Sequence, residues 1–373
     1  MCGQLQIGVV GTGFIGKQHI EAIRRIPNLK VAAIVEKDEA AARLVSGQLG
    51  IEKWYTDYRA LLEDDTIDAV HNCTPSFLHF PVNKEAILKG KHIYCEKPLT
   101  LDALEAEQLA RLAEKNDVAA GVNFNYRHNA MVQQMQQIIR HGEAGRIFMV
   151  SGQYLQDWLL YDTDYDWRMD PEMGGRSRAV ADIGSHCFDT AQFVTGKRIK
   201  SVYSNLFIAH PVRKRRTKPG ELEEVRMSSE DGAFVMGRFE DGTPFNFIFS
   251  QVSAGKKNAL SLSVSGSEKL LEWHQEKPDI LNIGNRNKPN ELVYAAPEYL
   301  SDGIKAYGNL PAGHSVGWHD ALTNAIKAFY NSIFDGSYKA QEQNYATFET
   351  GRRIMELVDA CLDSSEKNRW VEL

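Results

Sequence analysis

The hexapeptide Gly11-Thr12-Gly13-Phe14-Ile15-Gly16 follows the apolar run Leu5–Val10 and leads into a helix. Three glycines at this spacing, between a strand and a helix, constrain the fold more than any other feature of the chain. Gly11 permits a tight turn, Gly13 lets backbone N–H groups approach an anion, and Gly16 allows close packing of helix on strand. The residues beyond keep the same alternation. Apolar runs at Val31–Val35, Ala69–Cys73, His92–Cys95 and Ala119–Asn123 are separated by helical periodicity at His19–Arg25, Glu39–Leu49, Tyr58–Leu62, Phe80–Lys89 and Leu101–Lys115. This pattern predicts an α/β, doubly wound parallel sheet over residues 1–124.

After Asn123 the pattern changes. A helix is predicted over Ala130–Arg140, and strands over Val202–Ile208, Gly232–Phe239, Phe245–Gln251, Ala259–Val264 and Lys269–Trp273. Two amphipathic helices, His319–Phe334 and Tyr345–Ser364, close the chain. The expectation for residues 125–373 is a second, α+β domain with an antiparallel-leaning sheet, its last helices free to pack back on the first domain. The run Arg213-Lys214-Arg215-Arg216-Thr217-Lys218, followed by acidic Glu221–Glu224, reads as a solvated loop whose charges largely cancel.

Composition removes several classes of function. Lys and Arg number 43 against 49 Asp and Glu, a net charge of −6, so the chain offers no positive field for a nucleic acid. No apolar run approaches the ~20 residues of a membrane span. Cys2, Cys73, Cys95, Cys187 and Cys361 are odd in number and contain no CxxC pair, so they read as free thiols in a reducing, cytoplasmic compartment. The histidines fall in no metal-ligand pattern, and no metal is expected.

Glu36 lies at the end of the second predicted strand, 20 residues beyond Gly16, where a carboxylate can accept both hydroxyls of an adenosine ribose. That favours NAD over NADP, with Lys37 beside it leaving NADP open. Lys97, in Cys95-Glu96-Lys97-Pro98, follows the fourth strand at the sheet edge where such domains bind ligands. A lysine there can bind a substrate oxygen and favour its deprotonated form during hydride transfer. Asp182 and His186 are four residues apart on a predicted helix, so both can face one small pocket. The histidine can exchange a proton near neutral pH, and the carboxylate can orient it.

Gly11–Gly16, Glu96-Lys97-Pro98 and Asp182-Ile183-Gly184-Ser185-His186 together make the chain resemble the Gfo/Idh/MocA oxidoreductases, relatives of glucose-fructose oxidoreductase and inositol dehydrogenase. Thr74-Pro75 with His79, and Asn123-Phe124-Asn125-Tyr126-Arg127, extend the resemblance over nearly the whole chain. It implies a Rossmann domain followed by an α+β domain with a large open mixed sheet, and a homodimer or homotetramer. It also implies NAD-dependent transfer of hydride between the nicotinamide and a secondary hydroxyl or ketone of a sugar, glycoside or inositol.

The resemblance makes Lys97, Asp182 and His186 the catalytic set, with Lys97 and His186 as the acid/base pair. Gly11, Gly13, Phe14, Ile15, Gly16, Glu36, Thr74, Pro75, His79, Glu96 and Lys97 are expected at the cofactor. Gly152–Trp158 and Asp166-Trp167-Arg168 look like the sugar dehydrogenase subgroup that includes levoglucosan dehydrogenase. Asn123, Tyr126, Gln156, Trp158, Arg168 and His314 are accordingly expected on the substrate side, with Asp157 as a further hydroxyl partner. Two alternatives stay open: an epimerase or lyase that cycles its NAD internally, and a redox-inactive sugar or NAD sensor.

Overall fold

Short strands rich in Val, Ile and Ala, buried on both faces, suit a parallel sheet covered by helices. In the structure, a computed structural model that describes residues 3–373, they build such a sheet; Cys2 lies outside the described residues. The chain divides into two units, the first comprising Met1–Phe124 with Leu322–Met355, the second Asn125–Ala321 with Glu356–Leu373.

In the first unit β1 (Leu5–Val10), β2 (Leu29–Val35), β3 (Lys53–Tyr55), β4 (Ala69–Asn72), β5 (His92–Cys95) and β6 (Ala120–Val122) form an all-parallel sheet in the order β3-β2-β1-β4-β5-β6. This is the Rossmann arrangement, in which strand order reverses at β1 and β4 and opens a ligand crevice at their C-terminal ends. Helices α1 (Phe14–Arg24), α2 (Glu39–Leu49), α3 (Tyr58–Leu62), α4 (His79–Leu88) and α5 (Ala103–Lys115) connect the strands. The Asp38, Asp57 and Asp102 side chains cap α2, α3 and α5. By contrast, α1 begins at Phe14, after an N-cap Gly13 that has no side-chain cap, five residues before the periodicity starts, because the glycine turn feeds directly into it. The three-residue β3 is too short to leave a sequence signal.

The segment Leu322–Met355 completes this unit at the β6 edge. The Val122 N–H donates to Ala346 O at 2.7 Å, and Gly121 bridges Thr347. A Cβ on Gly351 would stand 2.7 Å from a Leu99 methyl and 3.0 Å from a Val122 methyl, so the approach is close enough to favour glycine.

The second unit is built on a nine-stranded sheet. Its strands are β7 (Ile147–Leu155), β8 (Ile199–Phe207), β11 (Gly232–Phe239), β12 (Pro244–Ser250), β13 (Ala259–Gly266), β14 (Leu270–His274), β15 (Ile280–Gly284), β16 (Glu291–Tyr294) and β17 (Val371–Glu372), in the order β16-β15-β14-β13-β7-β12-β11-β8-β17. The β12–β7 pair is parallel and its neighbours are antiparallel, giving the mixed sheet that the resemblance implied. Helices α6 (Ala130–Arg140), α7 (Pro171–Gly174) and α8 (Ser185–Thr195) belong to this unit. The chain passes between units within α9 (Trp318–Phe334) and again within α10 (Phe348–Lys367).

The basic run corrects a sequence expectation. Arg213–Lys218 lies in a strand, β9 (Val212–Lys218), paired antiparallel with β10 (Glu221–Arg226). Arg215 stands opposite Glu223, with their charged groups 2.7 Å apart, so opposite charges across the ribbon stabilise the pairing. Arg213 is fully buried: it donates to Tyr161 O at 2.8 Å and Asp164 O at 3.0 Å, and meets Asp231 at 2.6 Å.

Candidate active site

The glycine turn leaves a bare helix end beside open space. Gly11 has φ +85°, a left-handed conformation suited to glycine, and a Cβ there would meet Cys73 O at 2.8 Å. A Cβ on Gly16 would stand 2.0 Å from Gly11 O, whereas one on Gly13 would meet nothing within 4 Å. Two glycines are therefore required for packing, while Gly13 keeps room over the uncapped N–H groups and positive dipole end of α1. Phe14, next in line, is 79% exposed. Glu36, at the end of β2, accepts from Thr12 N–H at 2.8 Å and from the Thr12 hydroxyl. These residues fit a dinucleotide pyrophosphate at the helix end, with a carboxylate at ribose distance along the chain.

Two more loops leave the ends of β4 and β5. Asn72 Oδ1 accepts from Thr74 Oγ1 at 2.7 Å, and Pro75 precedes a short 3₁₀ turn at Ser76–Leu78. His79 is buried, with Nδ1 2.7 Å from Pro98 O and Nε2 2.9 Å from Thr74 O, so its ring ties the Thr74 loop to the Lys97–Pro98 turn. The Lys97–Pro98 peptide is cis. Glu96 is buried and accepts from the Lys97 backbone N–H at 3.1 Å and from Asn123 Nδ2 at 2.6 Å. Burial pushes the Glu96 carboxyl up, but His19, Lys97 and Asn123 outweigh it and bring it down to about 2. Asn123, expected on the substrate side, is thus engaged in the first unit with Glu96 and with Tyr94, whose hydroxyl is 3.1 Å away.

In the second unit Asp182 lies in a π-helical turn, Val180–Gly184, that runs directly into α8 and His186. Such turns recur at functional sites because the extra residue re-aims side chains. Gly184 is required inside it, since a Cβ would stand 2.8 Å from the Phe249 ring. Asp182 accepts from Gln251 Nε2 at 2.8 Å and lies 3.7 Å from the Arg168 guanidinium. The His186 ring packs edge-on against Tyr126, centroids 4.7 Å apart, with Tyr154 at 6.2 Å. The buried Arg127–Asp189 pair anchors the segment carrying Tyr126 to α8.

Tyr126, Tyr154 and Asn258 form a closed polar triangle. The Tyr126 hydroxyl is 2.9 Å from the Tyr154 hydroxyl and accepts from Asn258 Nδ2 at 3.0 Å, while the Tyr154 hydroxyl donates to Asn258 Oδ1. Burial pushes both phenols above their ordinary range, so they remain neutral hydrogen-bonding groups. Gln156 accepts from Trp158 Nε1 at 3.0 Å, and the Arg168 guanidinium stacks over Trp167 at 4.4 Å and Trp158 at 5.9 Å. The second unit therefore brings together Tyr126, Gln156, Trp158, Arg168, Asp182 and His186.

Two further expected residues make contacts of their own. Asp157 is held by Lys257 at 2.7 Å and by Gly255 N–H. His314 sits on an exposed loop with Nδ1 3.1 Å from Pro311 O. Asn258 and Gln251 were not foreseen, because only strand pairing brings them here: Tyr154 on β7 stands between Phe249 on β12 and Leu260 on β13.

A parallel nucleotide-binding sheet with a bare glycine turn, and a second unit carrying a carboxylate, an imidazole and paired phenols, define an oxidoreductase with an NAD-binding Rossmann domain. The chain belongs to the Gfo/Idh/MocA family: the family's NAD-binding Rossmann-fold model matches residues 5–124 and its C-terminal domain model matches residues 132–272. Levoglucosan dehydrogenase of Pseudarthrobacter phenanthrenivorans is 26% identical, covering 99% of this chain and 98% of that protein. Levoglucosan dehydrogenase in complex with NADH and levoglucosan superposes with TM-score 0.90 at 25% identity, covering 99% of each chain. An inositol dehydrogenase homolog from Azotobacter vinelandii, complexed with NADH and myo-inositol, gives TM-score 0.87 at 26% identity, over 100% of this chain and 98% of that one. Among the described residues no helix is long and apolar enough to cross a membrane.

Proposed function

We propose that the protein is an NAD-dependent dehydrogenase of the secondary hydroxyl of a pyranose, anhydrosugar, glycoside or inositol. The observation that carries this reading is that one chain combines a glycine turn fitted to a dinucleotide with proton-handling residues, Lys97 held by Glu96 in the first unit and Asp182 with His186 in the second. A nicotinamide bound there supplies the hydride acceptor. Lys97 and His186 hold and move the hydroxyl proton, and Asp182, already engaged by Gln251 and Arg168, orients the substrate or His186. Trp158 offers an aromatic face to a sugar ring, and Gln156 and Arg168 offer polar groups to its hydroxyls. A redox-inactive sensor does not need this proton-handling set.

The test is NADH absorbance on mixing the protein with NAD and a panel of inositols, free pyranoses, anhydrosugars and glycosides. Steady NADH production with at least one of them is expected. Binding of NAD with no net NADH from any would instead favour internal redox cycling or a redox-inactive sensor.

Glu36 gives a second measurable outcome. Its carboxylate would repel a ribose 2′-phosphate, so Glu36→Ser should raise the NADP:NAD ratio of kcat/KM by about tenfold or more. Its bond to Thr12 N–H also predicts weaker NAD binding in the variant, which a fluorescence titration reads directly.

The four described cysteines are buried free thiols, which supports a reducing cytoplasm. Phe234 and Met236 on β11, 53% and 50% exposed, support a homodimer or homotetramer; light scattering that gives the monomer mass would oppose it.

A further inference from the structure

A buried row of hydrogen bonds lies behind the Glu96-Lys97 turn. The Tyr330 hydroxyl stands 2.9 Å from His71 Nε2, His71 Nδ1 stands 2.8 Å from His19 Nδ1, and His19 Nε2 stands 2.9 Å from Glu96 Oε1. Tyr330, His71 and His19 come from α9, β4 and α1, and each is fully buried.

Donor and acceptor chemistry fixes the direction of this row. His71 Nε2 is the hydrogen-bond partner of the Tyr330 hydroxyl among the described residues, and a buried O–H without an acceptor is costly, so its proton points to that nitrogen. Burial, and then the neighbouring His19, hold His71 well below the usual imidazole range. A neutral His71 accepting at Nε2 carries its proton on Nδ1 and donates it to His19 Nδ1. His19 in turn donates from Nε2 to Glu96. Asn123 Nδ2 stands 3.3 Å from His19 Nε2 but donates to Glu96 at 2.6 Å, so both donors converge on Glu96 and the row ends on a single charge.

The neighbouring titratable groups do not interrupt it. The Tyr94 ring packs 5.9 Å from His19 and 5.2 Å from His71, and its hydroxyl donates to Asn123. Burial pushes the Cys73 and Cys95 thiols up, so they stay protonated at neutral pH. Burial raises the Tyr330 phenol, with Tyr94 and Asp68 adding to the effect, and Lys97 favours the ionised form of Glu96.

We propose that Tyr330, His71 and His19 are positioning residues acting through Glu96: their one-way row of donors keeps Glu96 an ionised acceptor, fixing the Lys97 backbone and placing a negative charge beside Lys97. This rests on the reading of Lys97 as a proton-handling group.

Two measurements test it. In protein labelled with ¹⁵N at histidine, long-range proton–nitrogen spectra assigned through His71→Asn and His19→Gln should show His71 as the Nδ1–H tautomer and His19 as the Nε2–H tautomer. The opposite tautomers overturn the proposal. Second, pH profiles of kcat/KM are compared for His19→Leu, His19→Gln and Lys97→Met, using the most active sugar of the panel.

With the His19 donor gone, Asn123, the Lys97 N–H and the Lys97 charge alone oppose burial, and the Glu96 carboxyl rises. His19→Leu should therefore lose kcat roughly tenfold and acquire an added fall in kcat/KM on acidification that the parent lacks. His19→Gln, whose side-chain amide can replace the Nε2 donor, should restore the parental profile. A folded His19→Leu with the parental profile overturns the proposal. Should His19→Leu not fold, Tyr330→Phe removes one oxygen, and loss of the single His71 tautomer is its expected readout; a tautomer unchanged in that variant overturns the proposal. Retained turnover in Lys97→Met overturns the reading of Lys97 and this proposal together. An inactive Lys97→Met beside an unaltered His19→Leu overturns this proposal alone.

Discussion

Replacement of Lys97 by methionine should lower kcat by roughly 10²–10⁴-fold while NAD binding stays near that of the parent. The backbone of Lys97 is held by Glu96 and by the His79 bridge to Pro98, neither of which uses the lysine amine. Methionine preserves the length and much of the packing of the side chain but cannot bind or transfer a proton. His186→Ala should fall in the same range, because the ring against Tyr126 and Tyr154 is removed without touching the glycine turn. Turnover is read with the sugar selected from the panel, and NAD affinity by fluorescence titration. Parental turnover in both variants would remove these residues from the mechanism.

The largest effect on stability is expected at Asp231. Its carboxylate pairs with Arg178 and Arg213, and all three side chains are fully buried; it also accepts from Ala209 N–H at 2.7 Å. Burial disfavours the charged carboxylate, yet the two guanidiniums hold it below the usual range. Asp231→Ala leaves two buried cations with one charged partner fewer, which should destabilise the second unit by about 3–5 kcal/mol. Urea unfolding followed by circular dichroism measures this. A midpoint near the parental value would show that Glu230 and the Tyr161 and Asp164 carbonyls are enough to hold the arginines.

The cofactor half of the site was readable because its signals are local. Gly11, Gly13, Gly16 and Glu36 lie within one βαβ stretch, and each acts through backbone geometry or charge that its residue type carries. The Asp182–His186 pair was likewise readable, although the π turn beneath it was not, since no sequence period announces one extra residue in a helix. Residues that depend on long-range pairing were hidden. Tyr330 meets His71 across 259 positions, and Asn258 meets Tyr126 across 132. The ribbon β9–β10 was misread for a different reason: strands stabilised by opposite charges across the pair have the composition of a solvated loop.

The split composition of the first unit has a consequence for how the protein is made. Leu322–Met355 supplies the Ala346 carbonyl that Val122 needs, the bridge to Gly121 and the hydroxyl above His71, yet about 200 residues separate it from β6. At about 5–20 residues per second, a ribosome takes roughly 10–40 s to deliver that segment after β6 has emerged. During that interval the nascent nucleotide-binding sheet has an unfinished edge and a polar interior without its last partner. Biosynthesis of this chain thus includes a waiting period in which chaperones have access to a sheet that cannot yet close.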